Sequence, residues 1–226
     1  RQGIEGAGID PDALPGSHGA TIGQGPAGPD APGACGGSGA VRDQRRGPGK
    51  NGAPMVELVE VLAADGSVER VVPREEMRAG RLRHRCTFVV VRSTAGEVLV
   101  HRRSDRKDLW PGRWDLCVGG VVTAGEDWVA AALRELAEEV GVEADEEDLR
   151  YLGECPYVDS DVDELARIWT VTHDGPFEFT DGEVLEARMV DLAELADMLA
   201  SQSFVADSAV IVAPMLLGNR GADAAD

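Results

Sequence analysis

Three carboxylates, Glu135, Glu138 and Glu139, recur at spacings of three and four residues. At 100° per residue on a helix they share an arc of roughly 100°. Val129, Ala132, Leu133, Leu136 and Val140 fall on the adjoining arc, so one face is apolar and the next is acidic. Like charges at these spacings repel by about a few tenths of a kcal/mol per pair on an exposed helix. The acidic face is therefore either simply solvated or built to hold a hard divalent cation. Mg²⁺ prefers oxygen ligands and is commonly bound by a few carboxylates together with substrate phosphates.

Other chemistry-bearing residues lie upstream. Arg102, Arg103, Arg106, Lys107 and Arg113 are interrupted by Asp105 and Asp108. They read either as a clamp for phosphates, with Arg102 and Arg103 the better candidates, or as a solvated loop. Trp110 and Trp114 flank Pro111-Gly112 and could stack on a base or sugar or fill a core. Downstream, Asp159, Asp161, Asp163 and Glu164 form an acidic run that reads as a solvated loop, with Glu164 facing the site as the alternative.

The elements that must position these groups are legible in outline. Alternation over 56–62 and 68–72 around Ala64-Asp65-Gly66 predicts a β-hairpin, and Pro73 opens a short helix. The nearly continuous apolar run 86–92 predicts a buried central strand, followed by a strand at 98–101. A long loop precedes a strand at 116–122. Residues 127–140 form the clearest helix, closed by Gly141. Strands are expected at 151–157, 167–173 and 187–190, and helices at 192–200 and 208–217. The acid-rich EADEEDL stretch reads as the first turn of a further helix. Strands with singly inserted helices predict an α/β or α+β class with a mixed sheet.

Charge is segregated along the 226 residues, whose formal net charge is −19. Residues 1–54 hold 15 Gly and 7 Pro, no aromatic residue and balanced charge, and predict a disordered extension; residues 55–226 form the folded domain. Within that domain, 70–113 carries a net +7 and 114–226 a net −22. This suggests an anionic ligand beside a carboxylate-bound cation, or two solvated faces of opposite sign. The overall charge opposes binding of a nucleic-acid polymer. No apolar run reaches the roughly 18 residues of a membrane span. Four widely spaced cysteines, without a CxxC pair, favour a reducing cytoplasm over a zinc site or disulfide scaffold.

The flanks of the acidic helix decide between the two readings of its face. From Gly120 the chain runs GVVTAGEDWVAAALRELAEEVGV: Gly120, five residues, Glu126, seven residues, Arg134-Glu135-Leu136-Ala137-Glu138-Glu139-Val140-Gly141-Val142. This resembles, position for position, the Nudix box G-x5-E-x7-R-E-U-x-E-E-x-G-U, where U is a bulky aliphatic residue. The resemblance implies an α/β/α sandwich with the box as loop–helix–loop. It also implies Mg²⁺- or Mn²⁺-dependent hydrolysis of a diphosphate joined to a second moiety, usually a nucleoside diphosphate. Glu138 and Glu139 would then ligate metal, Glu135 would ligate metal or act as base, and Gly120 would offer backbone to the cation. Arg134 and Glu126 would orient the carboxylates. Many Nudix enzymes bring an additional acid from a late loop, and Glu183 lies in such a loop. Nudix proteins often dimerise, which leaves a homodimer open.

The runs LRHRCTFVVV, VHRRSDRKDLWPGRWD and HDGPFEFTDGEVLEARMVDLAEL are similar to a narrower branch, the Nudix hydrolases related to isopentenyl-diphosphate isomerase, including those of the YfcD type. This likeness covers most of 56–217 and none of 1–54. His84 aligns with a metal histidine of the isomerases but reads here as structural. The isomerases follow W-T-N-x-x-C-x-H; here Gly119 takes the catalytic cysteine position and Val121 the histidine position. Cys117 lies two residues early and reads as a small buried hydrophobe. Hydrolysis is favoured over isomerisation. A Nudix domain serving as a ligand-binding module is the remaining alternative, disfavoured by intact Arg134, Glu135, Glu138 and Glu139.

Overall fold

A computed structural model describes residues 56–179 and 182–218. The extension expected over 1–54 lies outside the described residues. The described part opens with the expected hairpin, β1 (Leu58–Leu62) and β2 (Val68–Pro73), a two-stranded sheet that connects to the rest through an isolated bridge from Val59 to Thr123. Helix α1 (Arg74–Gly80) follows from Pro73. The expected core strand is β3 (His84–Arg92), two residues longer at its start than the apolar run predicts.

Seven strands build the main sheet. β3 runs parallel to β8 (Asp163–Thr172) along its whole length, from His84↔Glu164 to Arg92↔Thr172. Its other edge carries β6 (Val118–Val121) antiparallel and meets β4 (Val98–Arg103) only at Arg92↔Val98. β4 in turn pairs antiparallel with β5 (Trp114–Asp115) and β9 (Val184–Val190), while β7 (Arg150–Val158) pairs antiparallel with β8. The sheet is mixed, as expected, and the class is α/β. The strand expected over 116–122 is realised as the shorter β6, and a two-residue β5 precedes it; Asp115 Oδ1 accepts the Leu116 N–H at 2.8 Å between the two.

Strand alternation sorts the core into two layers. Cys86, Phe88 and Val90 of β3 face a cluster with Leu195 and Met198 of α3 (Leu192–Ser201) and Ile211, Val212 and Leu216 of α4 (Ala206–Leu217). Val89 and Val91 face the opposite side, against Ala132, Leu136 and Val140 of α2 (Trp128–Val140). Helices thus cover both faces, the layering that the Nudix resemblance implies. The EADEEDL stretch makes only a 3₁₀ turn over Glu146–Asp148, since Asp145 and Asp148 close a reciprocal cap and the chain then enters β7. No described helix is long and apolar enough to cross a membrane.

The β3–β6 pairing has a steric condition. Gly119 lies opposite Phe88, and a Cβ on it would stand 1.9 Å from the Thr87 carbonyl oxygen. That clash is with backbone and cannot be relieved by a rotamer change. Gly119→Ala is expected to part the two strands and cost at least about 3 kcal/mol, as severe overpacking does. A urea titration read by tryptophan fluorescence checks this; an unchanged midpoint would contradict the pairing.

Candidate active site

Helix α2 begins where Asp127 accepts the Val129 N–H at 2.9 Å, a side-chain N-cap, and ends at Gly141, whose φ is 68° and whose N–H returns to Ala137. Its apolar face is fixed against β3. That packing rotates two of the three acids inward: Glu135 is 9% exposed and Glu139 is 7% exposed. Glu138 stays at the surface, its side chain 61% exposed.

Beneath the helix runs β6, and its glycines let the carboxylates approach the strand. A Cβ on Gly120 would lie 2.6 Å from Glu135 Oε1. The Gly119 N–H points to Glu139 Oε2 at 3.4 Å. Arg134 ties the acids together: Nη1 donates to Glu135 at 2.8 Å and to Glu138 at 3.0 Å, while Nε and Nη2 bind the two oxygens of Glu126 at 2.9 and 3.0 Å. Glu126 is anchored in addition by the Thr123 N–H at 3.1 Å. The guanidinium fork matches this carboxylate geometry in a way an ammonium could not.

Opposite the helix stands the basic loop. Lys107 reaches Glu139 Oε1 at 3.4 Å and also binds Glu183, bringing the late acid to the same place. Ser104 N–H donates to the Glu183 carbonyl at 2.7 Å, and Arg106 donates to the Gly182 carbonyl at 3.2 Å. Arg103 lies 3.5 Å from the buried Asp115. These groups, with Trp110 at a positive φ of 48°, line a cleft of about 1140 Å³ that also holds Glu135, Glu138, Glu139, Gly119 and Gly120. Arg102 is exposed and does not line the cleft: β4 continues to Arg103, so alternation turns these neighbours to opposite sides. Trp114 is buried in the core and Arg113 donates to the Phe204 carbonyl, so neither reaches the cleft.

Burial raises the Glu135 carboxyl to about 7, helped by the charge of Glu139 and opposed by Arg134. Burial likewise raises Glu139 to about 6, against the cations Lys107 and Arg103. Hydrogen bonding to Glu126 raises Arg134 further, which keeps it a permanent cation. Two buried carboxylates that disfavour their own charge, with an ammonium bridging one of them to Glu183, form an all-oxygen donor set suited to a hard divalent cation.

The pattern of the NUDIX domain family matches residues 82–209. The chain belongs to the Nudix family. It is 34% identical over 178 residues to the uncharacterized Nudix hydrolase YfcD of Salmonella typhi, a match spanning 75% of this chain and 90% of that protein. An uncharacterized Nudix hydrolase of Yersinia pestis is 42% identical over 93 residues, 41% of this chain and 51% of the relative, so the chain spans about half of that protein's length. The fold is shared with DR0079 of Deinococcus radiodurans, at a TM-score of 0.59 and 22% identity over 71% of this chain and 97% of that one. These likenesses bear out the YfcD-like Nudix branch read from the sequence.

Within the Nudix cleft, several lining residues escape the motif. Arg78, Asp115, Glu164 and Asp207 all face it. Glu164, expected in a solvated loop, is 2% exposed because β8 starts at Asp163 and pairs with β3. The period-two set Val162, Ala166 and Ile168, on the same face as Glu164, carried the signal, and the surrounding acids masked it. Cys117 is buried as expected, its thiol 3.6 Å from Asp115.

Gly120 can be tested without a backbone clash, because the three atoms nearest its would-be Cβ all belong to the Glu135 carboxyl group. Gly120→Ala is expected to leave the melting temperature nearly unchanged while displacing Glu135, with turnover falling about 10²-fold, as misplacement by an ångström does. Full activity would contradict the close approach.

Proposed function

We propose that this Nudix protein is a Mg²⁺- or Mn²⁺-dependent hydrolase that cleaves a phosphoanhydride in a small nucleoside diphosphate joined to a second moiety. The observation that carries the reading is the burial of Glu135 and Glu139 against the glycines of β6, with Arg134 holding Glu135 in place. Glu135, Glu138, Glu139 and Glu183 would hold the cation, with Gly120 offering backbone. The ion, when bound, would neutralise phosphoryl oxygens and lower the barrier to attack by water.

The remaining roles belong to the protein. Glu135, in place of ligating the ion, can take the proton of the attacking water at a carboxylate oxygen. The new bond is water oxygen to phosphorus, the broken one is phosphorus to the bridging oxygen, and two phosphate-bearing products leave. Arg103 and Lys107 face the incoming phosphates, and Trp110 offers a ring to the second moiety. The protein's place is the cytoplasm, a reading that rests on its scattered cysteines.

Isomerisation of a prenyl diphosphate is opposed by Gly119, which stands where the isomerases have their cysteine and has no space for a side chain. A purely ligand-binding role is opposed by the complete set of box acids.

The test is a screen of the purified chain, with Mg²⁺ or Mn²⁺, against nucleoside triphosphates, sugar nucleotides, dinucleotides, coenzyme A and prenyl diphosphates. Cleavage of at least one diphosphate class into two phosphate-bearing products, separated by ion-exchange chromatography, is expected, and Glu139→Gln is expected to reduce it by roughly 10² or more. Turnover unaffected by Glu139→Gln would overturn the assignment. Ligands that raise the melting temperature without turnover would establish the binding module instead.

A further inference from the structure

The loop that leads into α2 is held by an element that the hydrolytic reading does not use, the hairpin of β1 and β2. The loop first closes on itself: Glu126 N–H donates to the Thr123 carbonyl at 3.0 Å, and Thr123 N–H donates to Glu126 Oε2 at 3.1 Å. It turns at Gly125, whose φ is 78° and around whose Cβ position nothing lies within 4 Å, so side-chain packing does not hold it there. Hydrogen bonds to β1 set its place instead. Ala124 N–H donates to the Leu58 carbonyl at 2.8 Å, beside the Val59–Thr123 bridge, and Gly125 N–H donates to Glu60 Oε1 at 3.0 Å.

The other oxygen of Glu60 is committed as well. Oε2 lies 2.8 Å from Arg85 Nη2, and the Arg85 and Glu60 side chains are only 14% and 16% exposed. An ion pair shielded in this way is screened far less than one at the surface. The same Nη2 donates to the Glu126 carbonyl at 3.0 Å, and the Arg85 guanidinium sits 5.2 Å from the centre of the ring of Trp128, the first residue of α2. Glu60 thus grips the loop twice, directly at Gly125 and through Arg85 at Glu126. From Glu126 the path to the acids is continuous: its carboxylate takes Arg134 Nε and Nη2, and Arg134 Nη1 donates to Glu135.

We propose that Glu60 is a positioning residue of the active centre: it fixes the loop over 123–126 on β1, so that Glu126 meets Arg134 and Arg134 aims Glu135. The proposal rests on the hydrolase reading and extends it to a strand upstream of the box. Without the Glu60 carboxylate, the Gly125 N–H and Arg85 lose their common acceptor, the loop is freed to shift along β1, and Glu135 loses its setting against Gly120. Glu60 itself does not line the cleft, so its loss acts on turnover and on the cation rather than on substrate binding.

A double-mutant cycle of Glu60→Ala with Glu126→Ala tests it in the full chain. The readouts are kcat and KM on whichever of the screened diphosphates is cleaved, and Mn²⁺ affinity from the paramagnetic resonance signal of the free ion. Glu60→Ala is expected to lower kcat about tenfold, part of the loss that an ångström of misplacement brings, while KM stays within about twofold and Mn²⁺ binding weakens several-fold. In the Glu126→Ala background the same substitution should change kcat and Mn²⁺ affinity by less than about twofold, because the path is already cut. A residue that merely stabilised the hairpin would cost the same in both backgrounds. Unchanged kcat in Glu60→Ala overturns the proposal, and so does a loss that persists in full beside Glu126→Ala. Should either alanine variant fail to fold, the glutamine variant at that position takes its place and the same outcomes decide. An unaltered chain that neither binds Mn²⁺ nor cleaves any diphosphate overturns the hydrolase reading and this proposal with it, whereas an active chain with an additive cycle overturns this proposal alone.

Discussion

The structure turns on the cost of placing like charges side by side away from water. Glu135 and Glu139 are one helical turn apart and nearly buried, an arrangement that burial and mutual repulsion both oppose. It persists because the opposite edge of the same helix is held by an extensive apolar contact. Ala132, Leu136 and Val140 fix the rotation of α2 against β3, and once that rotation is set the acids cannot swing out without uncovering the core. Packing energy is thereby converted into local electrostatic tension, the condition in which a divalent cation gains most from binding.

Arg134 moderates that tension without removing it. Its planar fork serves Glu126, Glu135 and Glu138 together but makes no bond to Glu139. The acid left out of this network is met from across the cleft by Lys107. The two halves of the site are therefore balanced by different elements: one from within the helix and its preceding loop, the other from the basic segment upstream. The segregation of charge along the sequence, basic before the box and acidic after it, is the one-dimensional trace of this face-to-face arrangement.

What the sequence could reveal follows the range of the interactions involved. The box helix was legible to its last residue, because its apolar period, its cap at Gly141 and its acids are all local. The fold's layers were legible in the strands whose apolar residues alternate or run continuously. Arg102 and Arg103 could not be told apart, because the choice depends on how far β4 extends, and that is set by pairing with Glu186 and Val184 some eighty residues later. Glu164 was hidden for the same reason: its burial comes from parallel pairing with His84, and locally it is one acid among several. The EADEEDL stretch misled in the opposite direction, since its acids suit a helix start but β7 takes up the chain after one turn.

The basic loop and the segment that carries Glu183 are joined three times, through Ser104 to the Glu183 carbonyl, Arg106 to the Gly182 carbonyl and Lys107 to the Glu183 side chain. Each loop is thus part of the other's scaffold. Neither can be lengthened, shortened or transplanted alone without stranding the bonds made by its counterpart. A graft that reshapes the cleft's outer wall therefore has to carry both segments together, although they lie far apart in the chain.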